Sequence, residues 1–150
     1  MQSRSIAPAL LVAFAGLLLA AWIGFGRVFF GVAGELTQLY TFTIGLVIVL
    51  LHAFIAEALA RTAQNGHRTR PATIGMLAAS WGCGILLGLM IPDVTGLGLQ
   101  TILTGPNEPG LSIVIGVANP LGIIMLVTAS VALGLARGDA KGKAHAVSED

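Results

Sequence analysis

Two ionisable side chains inside a long apolar segment are the first residues of this sequence whose chemistry needs an explanation. His52 and Glu57 lie in the segment LVIVLLHAFIAEALA, which covers residues 46–60. An ionisable group at membrane depth is costly, and each one is therefore a functional hypothesis. At 1.5 Å per residue, His52 lies roughly 13 Å along a helix from Arg61, which places it near the middle of a bilayer.

These two groups differ in the partners that the sequence offers them. Glu57 and Arg61 have the i, i+4 spacing at which a carboxylate and a guanidinium meet on one helix face. Glu57 is therefore either half of a structural ion pair or a proton carrier. His52 points about 140° away from Glu57 around a helix, so the two cannot form a direct relay. A partner for His52 must come from another helix or chain. With such a partner, His52 is a hydrogen-bonded neutral imidazole, a proton-transfer group or a haem ligand.

Asn119 and Pro120 form a further candidate in the last apolar segment. Proline removes one backbone hydrogen bond and leaves the carbonyl of Gly116 without its helical donor. Broken helices line ion and substrate sites in some transporters, and Asn119 would supply a ligand there. An ordinary kink is the alternative, because prolines are common in membrane helices. Together His52, Glu57 and Asn119 define a candidate polar path.

The sequence lacks the motifs of common catalytic sites. It contains no Gly-x-Ser-x-Gly elbow, no His-Glu-x-x-His pair and no Walker loop. Cys83 is the only cysteine, which excludes an internal disulfide, a Cys-x-x-Cys redox pair and a multi-cysteine metal site. The eight Lys and Arg residues are scattered, which argues against nucleic acid binding. We therefore expect no enzyme activity, no catalytic residue, no metal site and no bound cofactor.

The elements that must position these residues are apolar helices. Hydrophobic residues make up 55% of the chain, charged residues make up 10%, and mean hydropathy is +0.88, whereas soluble domains carry roughly 25% charged residues. A helix needs about 20 mostly apolar residues to cross a bilayer. Four segments meet that length: about Ile6 to Gly26, Tyr40 to Ala60, Ala72 to Pro92 and Leu111 to Ala136. The sequence therefore predicts an all-α, polytopic four-transmembrane-helix bundle over residues 1–136, followed by a polar cytoplasmic tail over residues 137–150.

The distribution of positive charge predicts the orientation of this bundle in the cell membrane. Short loops that are rich in Lys and Arg stay cytoplasmic. Seven of the eight cations fall on one side of the predicted spans, and Arg27 falls on the other side with Glu35, Asp93 and Glu108. We therefore expect both termini to be cytoplasmic. The seven are Arg4, Arg61, Arg68, Arg70, Arg137, Lys141 and Lys143.

Small residues recur at helical spacing in the third and fourth spans. Membrane helices associate where small residues let their backbones approach closely. Such a ridge packs either inside a single bundle or against another subunit, and the sequence leaves both alternatives open. The ridge positions are Ser80, Gly84 and Gly88 in the third span, and Ser130 and Gly134 in the fourth.

Two main functional hypotheses fit these observations, beside a third class, a redox subunit in which His52 and a partner chain hold haem. A chain rich in packing glycines and poor in buried polar groups suggests a non-catalytic accessory subunit of a larger transport or respiratory membrane complex. The alternative is a homo-oligomeric small transporter or channel that uses the polar path of His52, Glu57 and Asn119. Both hypotheses make the lipid bilayer and other membrane subunits, or further copies of this chain, the expected partners.

Overall fold

The computed structural model describes residues 6–142, which form four long helices and a short hairpin. Each helix is long and apolar enough to cross a membrane, so the prediction of four spanning helices is confirmed in length and composition. Arg4 and the tail from residue 143 onward lie outside the described residues. The four helices are α1 (Ala7–Phe29), α2 (Thr37–Gln64), α3 (Pro71–Met90) and α4 (Gly110–Ala140).

Glycines end three of these helices. Gly31, Gly66 and Gly142 each lie two residues beyond the last helical residue and have positive φ angles of 68°, 75° and 74°. Beyond α1 and α2, the next N–H groups, those of Val32 and His67, donate back to carbonyls in the last helical turn. This arrangement satisfies carbonyl groups that a helix end otherwise leaves without donors. The glycine positions therefore explain where the chain leaves each helix.

The helices pack into one bundle with two core clusters. α1 packs on α2, α2 on α4 and α4 on α3, while α1 also contacts α3. One end of the bundle carries the segment between α3 and α4 and is called the hairpin end; the other carries residues 65–70 and is called the loop end. Ile55, Leu59 and Leu77 belong to the cluster nearer the loop end, and Ile23 and Met125 belong to the cluster nearer the hairpin end.

The small-residue ridge of α3 packs inside the bundle. Ser80, Gly84 and Gly88 are all buried. A Cβ added at Gly84 would lie 2.8 Å from a methyl carbon of Leu19, and one added at Gly88 would collide with the indole of Trp22. Glycine is therefore required for the close contact between α3 and α1.

The ridge of α4 faces away from the bundle. Ser130 and Gly134 are both exposed, and a Cβ added at Gly134 would meet nothing within 4 Å. The two ridges that look alike in sequence therefore have different surroundings. The ridge of α3 is used within the chain, and that of α4 remains on the surface of the described bundle.

Two details differ from the sequence-based expectations. The all-α prediction omitted a small antiparallel hairpin, in which β1 (Asp93–Thr95) pairs with β2 (Gly98–Gln100) through a tight turn. The predicted polar tail was to begin at residue 137, but α4 continues to Ala140 because buried Asp139 binds the segment before α3. The composition of the chain does not predict either feature. The hairpin forms by local pairing within residues 93–100, and the end of α4 contacts Arg70, which is distant in sequence.

Candidate functional site

His52 lies in the centre of the bundle and is 1% exposed. Its Nδ1 lies 2.8 Å from the carbonyl oxygen of Ile48, and the indole Nε1 of Trp81 donates to its Nε2 at 3.0 Å. A carbonyl accepts only and an indole N–H donates only, so Nδ1 must carry the proton and Nε2 must be the acceptor. The contacts therefore define a neutral imidazole whose two ring nitrogens are both occupied.

The fit of His52 depends on α1 as well. A Cβ added at Gly16 would collide with the Cβ of His52, so glycine lets α1 approach the imidazole closely. The expected partner from another helix is Trp81 on α3, whose ring is tilted by 16° from the plane of the imidazole, with 6.5 Å between the ring centroids. Trp81 was not among the residues predicted from the sequence. Its position in the middle of an apolar span, away from both interfaces where tryptophan is enriched, was the available signal.

Glu57 lies on the surface of α2 at the loop end. Its carboxylate accepts a hydrogen bond from Arg61 at 2.6 Å, and the two side chains are 54% and 66% exposed. The ion pair suggested by the spacing is therefore present. Arg61 also lines a shallow cavity of about 290 Å³. The same cavity is lined by Arg137, which lies in α4, and by Lys141, which follows that helix.

Asn119 lies on the exposed side of α4, in the half nearer the hairpin end. It borders a cavity of about 240 Å³ whose other walls include Tyr40 of α2 and Ile91 beyond α3. Within the described residues, no hydrogen bond involves the Asn119 side chain. Pro120 follows it inside the helix and cannot donate to the carbonyl of Gly116.

The structure places the three residues of the candidate polar path in separate environments. His52 is enclosed between α1, α2 and α3, whereas Glu57 and Asn119 are exposed at different levels of the bundle. No hydrogen bond joins any two of them within residues 6–142. The side chain that is hydrogen-bonded to His52 is Trp81, and the one that is hydrogen-bonded to Glu57 is Arg61.

A buried ion pair at the hairpin end was missed by the sequence analysis. Arg27 of α1 and Asp93 of β1 are 1% and 0% exposed, and their charged atoms lie 3.4 Å apart. Arg27 also donates to the carbonyl oxygens of Ile23 and Pro92 at 3.3 Å, and its guanidinium lies 4.7 Å from the ring centroid of Tyr40. Both residues were predicted to lie on the same side of the membrane, but no pair between them was predicted. The available signal was Arg27 as the single cation on an otherwise acidic side.

The carboxylate of Asp93 also organises the start of α2. It accepts hydrogen bonds from the N–H of Leu36 at 2.8 Å, the hydroxyl of Thr37 at 2.6 Å and the N–H of Val94 at 2.8 Å. Burial alone would raise the pKa of Asp93, but hydrogen bonds, chiefly from Thr37, lower it below the ordinary value of 3.8. Because the charged form is favoured in the folded protein, the resulting stability is present above that ordinary pKa and is lost as the pH falls through the folded pKa.

A second buried carboxylate joins α4 to α3 at the loop end. Asp139 is 0% exposed and pairs with the guanidinium of Arg70, which is 32% exposed. Asp139 also accepts hydrogen bonds from the backbone N–H of Arg70 at 3.1 Å and from the hydroxyl of Thr73 at 2.7 Å. Nearby, the Asn65 amide donates to the carbonyl of Ala140 at 2.9 Å. The first residues of the predicted tail therefore form the last helical turn of α4, which contacts the segment before α3 at the loop end.

The buried polar groups of the bundle are almost all paired within the chain. Among residues 6–142, the Nε of Arg27 is the one buried side-chain nitrogen or oxygen without a hydrogen-bond partner. In the same residues, no group of three His, Cys, Asp or Glu side chains is placed to hold a metal ion. The interior therefore presents satisfied structural contacts, while the unpaired amide of Asn119 lies on the outside.

Comparisons with known proteins find no significant match to a protein family, a curated protein or a solved structure.

Proposed function

We propose that this chain is a non-catalytic accessory subunit of a larger transport or respiratory complex in the cell membrane. The chain would join that complex through one side of α4, the α4 outward face, defined here by Gly116, Asn119, Pro120, Ser130 and Gly134. The observation that carries this proposal is Asn119, an exposed amide without a hydrogen-bond partner in the described residues of an apolar helix.

The cost of an unpaired amide in hydrocarbon favours a partner on this face. An unsatisfied polar group in the bilayer core costs several kcal/mol. Among residues 6–142, Asn119 has no hydrogen-bond partner to relieve that cost, and the carbonyl of Gly116 has lost its donor to Pro120. Hydrogen bonds between helices satisfy such groups, and small residues such as Ser130 and Gly134 allow a second backbone to approach.

The paired interior supports a structural role over a transport path. His52 uses both ring nitrogens in contacts with Ile48 and Trp81, and Glu57 is neutralised by Arg61. A proton or ion path needs polar groups that exchange partners along a continuous line. The alternative of a homo-oligomeric transporter therefore has less support than an accessory subunit.

The α4 outward face is tested by comparing two exposed polar side chains. Asn119→Leu should weaken association with the complex roughly threefold to thirtyfold, the range that an interhelical hydrogen bond contributes. Thr43→Val is the matched control, because the exposed Thr43 hydroxyl already donates to the carbonyl of its own helix at 2.6 Å. The measurement is the fraction of the chain that migrates with larger partners after extraction in mild detergent.

Crosslinking identifies the face and the partner directly. A photoreactive residue at Ile123 on α4 should crosslink to a different membrane protein, whereas one at Leu17 on α1 should not; these residues are 64% and 54% exposed. Crosslinks between two copies of this chain would favour the homo-oligomeric alternative. The accessory role would be contradicted if the chain alone showed transport activity in liposomes and gave no crosslink to another protein.

The proposed orientation has both termini in the cytoplasm, so that the loop end faces inward. Arg61, Arg68, Arg70 and Arg137 lie at the loop end, and positively charged segments stay cytoplasmic. A reporter enzyme that works only in the cytoplasm should therefore be active when it is fused after Asp150. The same reporter inserted at Leu97 should be inactive, and the reverse pattern would overturn this orientation.

A further inference from the structure

An apolar crevice opens between the first halves of α1 and α3. Its volume is about 510 Å³. Buried Val12, Leu59 and Leu77 form its floor, while Leu11 and Ile74, which are 61% and 58% exposed, stand on its two rims. Trp81 closes the crevice near the middle of the bundle. In a membrane this space opens towards the hydrocarbon and must be filled by something apolar.

The position and lining of the crevice favour an acyl chain as its occupant. Between Pro71 and Trp81, α3 rises by roughly 15 Å, so the crevice runs from the loop end to the middle of the bundle along apolar side chains. A narrow, flexible hydrocarbon chain fits the space, because it can follow the floor between the rims.

The mouth of the crevice is suited to an anionic headgroup. Ala7, Pro8 and Thr69 line the crevice at the loop end, where both α1 and α3 begin. The positive end of the α1 dipole therefore lies at this mouth, whereas the start of α3 is already bound by the carboxylate of Asp139. Arg68, next to Thr69, is exposed and forms no ion pair within the described residues. The Thr69 hydroxyl likewise makes no hydrogen bond in that part of the chain.

We propose that this crevice binds one acyl chain of an anionic phospholipid, whose phosphate lies at the mouth near Thr69 and Arg68. The proposal rests on the membrane location and inward loop end proposed above, but not on the α4 outward face, which lies on another helix. Lipid tails are as apolar as the crevice walls, so burial of the chain gives little preference among lipids. The preference for an anionic lipid comes from the positive mouth.

Trp81 provides a reporter for this lipid. The chain contains two tryptophans, so the variant Trp22→Phe leaves Trp81 as the single emitter. The full-length variant is reconstituted in phosphatidylcholine vesicles that contain a small, fixed fraction of either brominated phosphatidylglycerol or brominated phosphatidylcholine. Bromine quenches tryptophan on contact, and we expect the brominated anionic lipid to associate with the crevice about fivefold more strongly, the effect of one cation at a membrane surface.

Two variants separate the contribution of the mouth to lipid binding from that of the crevice. Arg68→Gln should remove the preference for the anionic lipid while the acyl chain still enters, whereas Ala78→Phe should reduce quenching by both lipids because Ala78 lines the crevice. The matched controls are Arg137→Gln, a cation away from the crevice, and Ala79→Phe, an exposed neighbour that does not line it. Both controls should behave like the parent chain, and so should Asn119→Leu, even if that variant loses its protein partner.

Equal quenching of Trp81 by the two brominated lipids would overturn the proposed anionic site. Absence of quenching by either lipid would mean that protein covers the crevice, which also overturns the proposal. Native mass spectrometry of the unmodified chain, released from nanodiscs that contain both lipids, gives an independent measurement if Trp22→Phe does not fold. The retained lipid should then be the anionic one, and retention of both in proportion to their supply would contradict the proposal.

Discussion

Replacing Asp93 with alanine should lower the free energy of unfolding by about 3–5 kcal/mol, because it leaves a buried guanidinium without its counter-ion. Arg27 is 1% exposed and cannot turn to water without opening the hairpin end. The change also removes the acceptor for the N–H of Leu36 and the hydroxyl of Thr37 at the start of α2. Equilibrium unfolding in mixed detergent micelles with increasing dodecyl sulfate measures the effect.

A double variant separates the two contributions of Asp93. Arg27→Met combined with Asp93→Ala removes the stranded cation and should recover part of the stability. The remaining loss should be about 1–3 kcal/mol, since buried donors stay unsatisfied. If Asp93→Ala alone had an effect below about 1 kcal/mol, the hairpin end would not depend on this carboxylate.

The pH dependence of unfolding tests the same contact without a change in sequence. The folded pKa of Asp93 lies below its ordinary value of 3.8, so the stability that it supplies should be present above about pH 5 and decline as the pH falls through the folded pKa. Asp93→Asn removes this carboxyl group and should flatten that part of the profile. A wild-type stability that rises as the pH falls below 4 would have the wrong sign for this interpretation.

Replacing Asp139 with alanine should have the second largest effect, about 2–3 kcal/mol. Its carboxylate is 0% exposed and accepts hydrogen bonds from the Arg70 backbone and from Thr73, so alanine leaves buried donors without an acceptor. The loss should be smaller than that for Asp93, because Arg70 is partly exposed and its guanidinium can be solvated. The same unfolding measurement should therefore rank Asp93→Ala above Asp139→Ala.

A surface ion pair is the control for the loop end. Glu57→Gln breaks the exposed contact with Arg61 and should change stability by less than about 1 kcal/mol. Local opening would appear as faster hydrogen exchange at Gly66 and His67 in Asp139→Ala alone. An equal response to the two changes would contradict the structural role of Asp139.

Composition and residue spacing were sufficient to predict the helices and one side-chain pair. Long apolar segments can satisfy their backbone groups only within themselves, so four such segments predict four helices. Glu57 and Arg61 meet because a single helix brings residues four positions apart onto one face. These predictions needed no knowledge of how the helices are arranged.

The contacts of His52, Arg27 and Asp93 depended on that arrangement. Trp81 reaches His52 from another helix, and Asp93 reaches Arg27 across a long separation in sequence. Spacing along one helix carries no information about which faces of two helices meet.

This lack of information about which helix faces meet also explains why the two small-residue ridges could not be distinguished from the sequence. Their spacing is alike in α3 and α4, and the sequence by itself determined that both helices could pack closely against a neighbour. Only the tertiary structure decided that Gly84 contacts α1 while Gly134 remains exposed. Periodicity specifies a face of a helix, but the partner of that face is set by the rotation of each helix in the bundle.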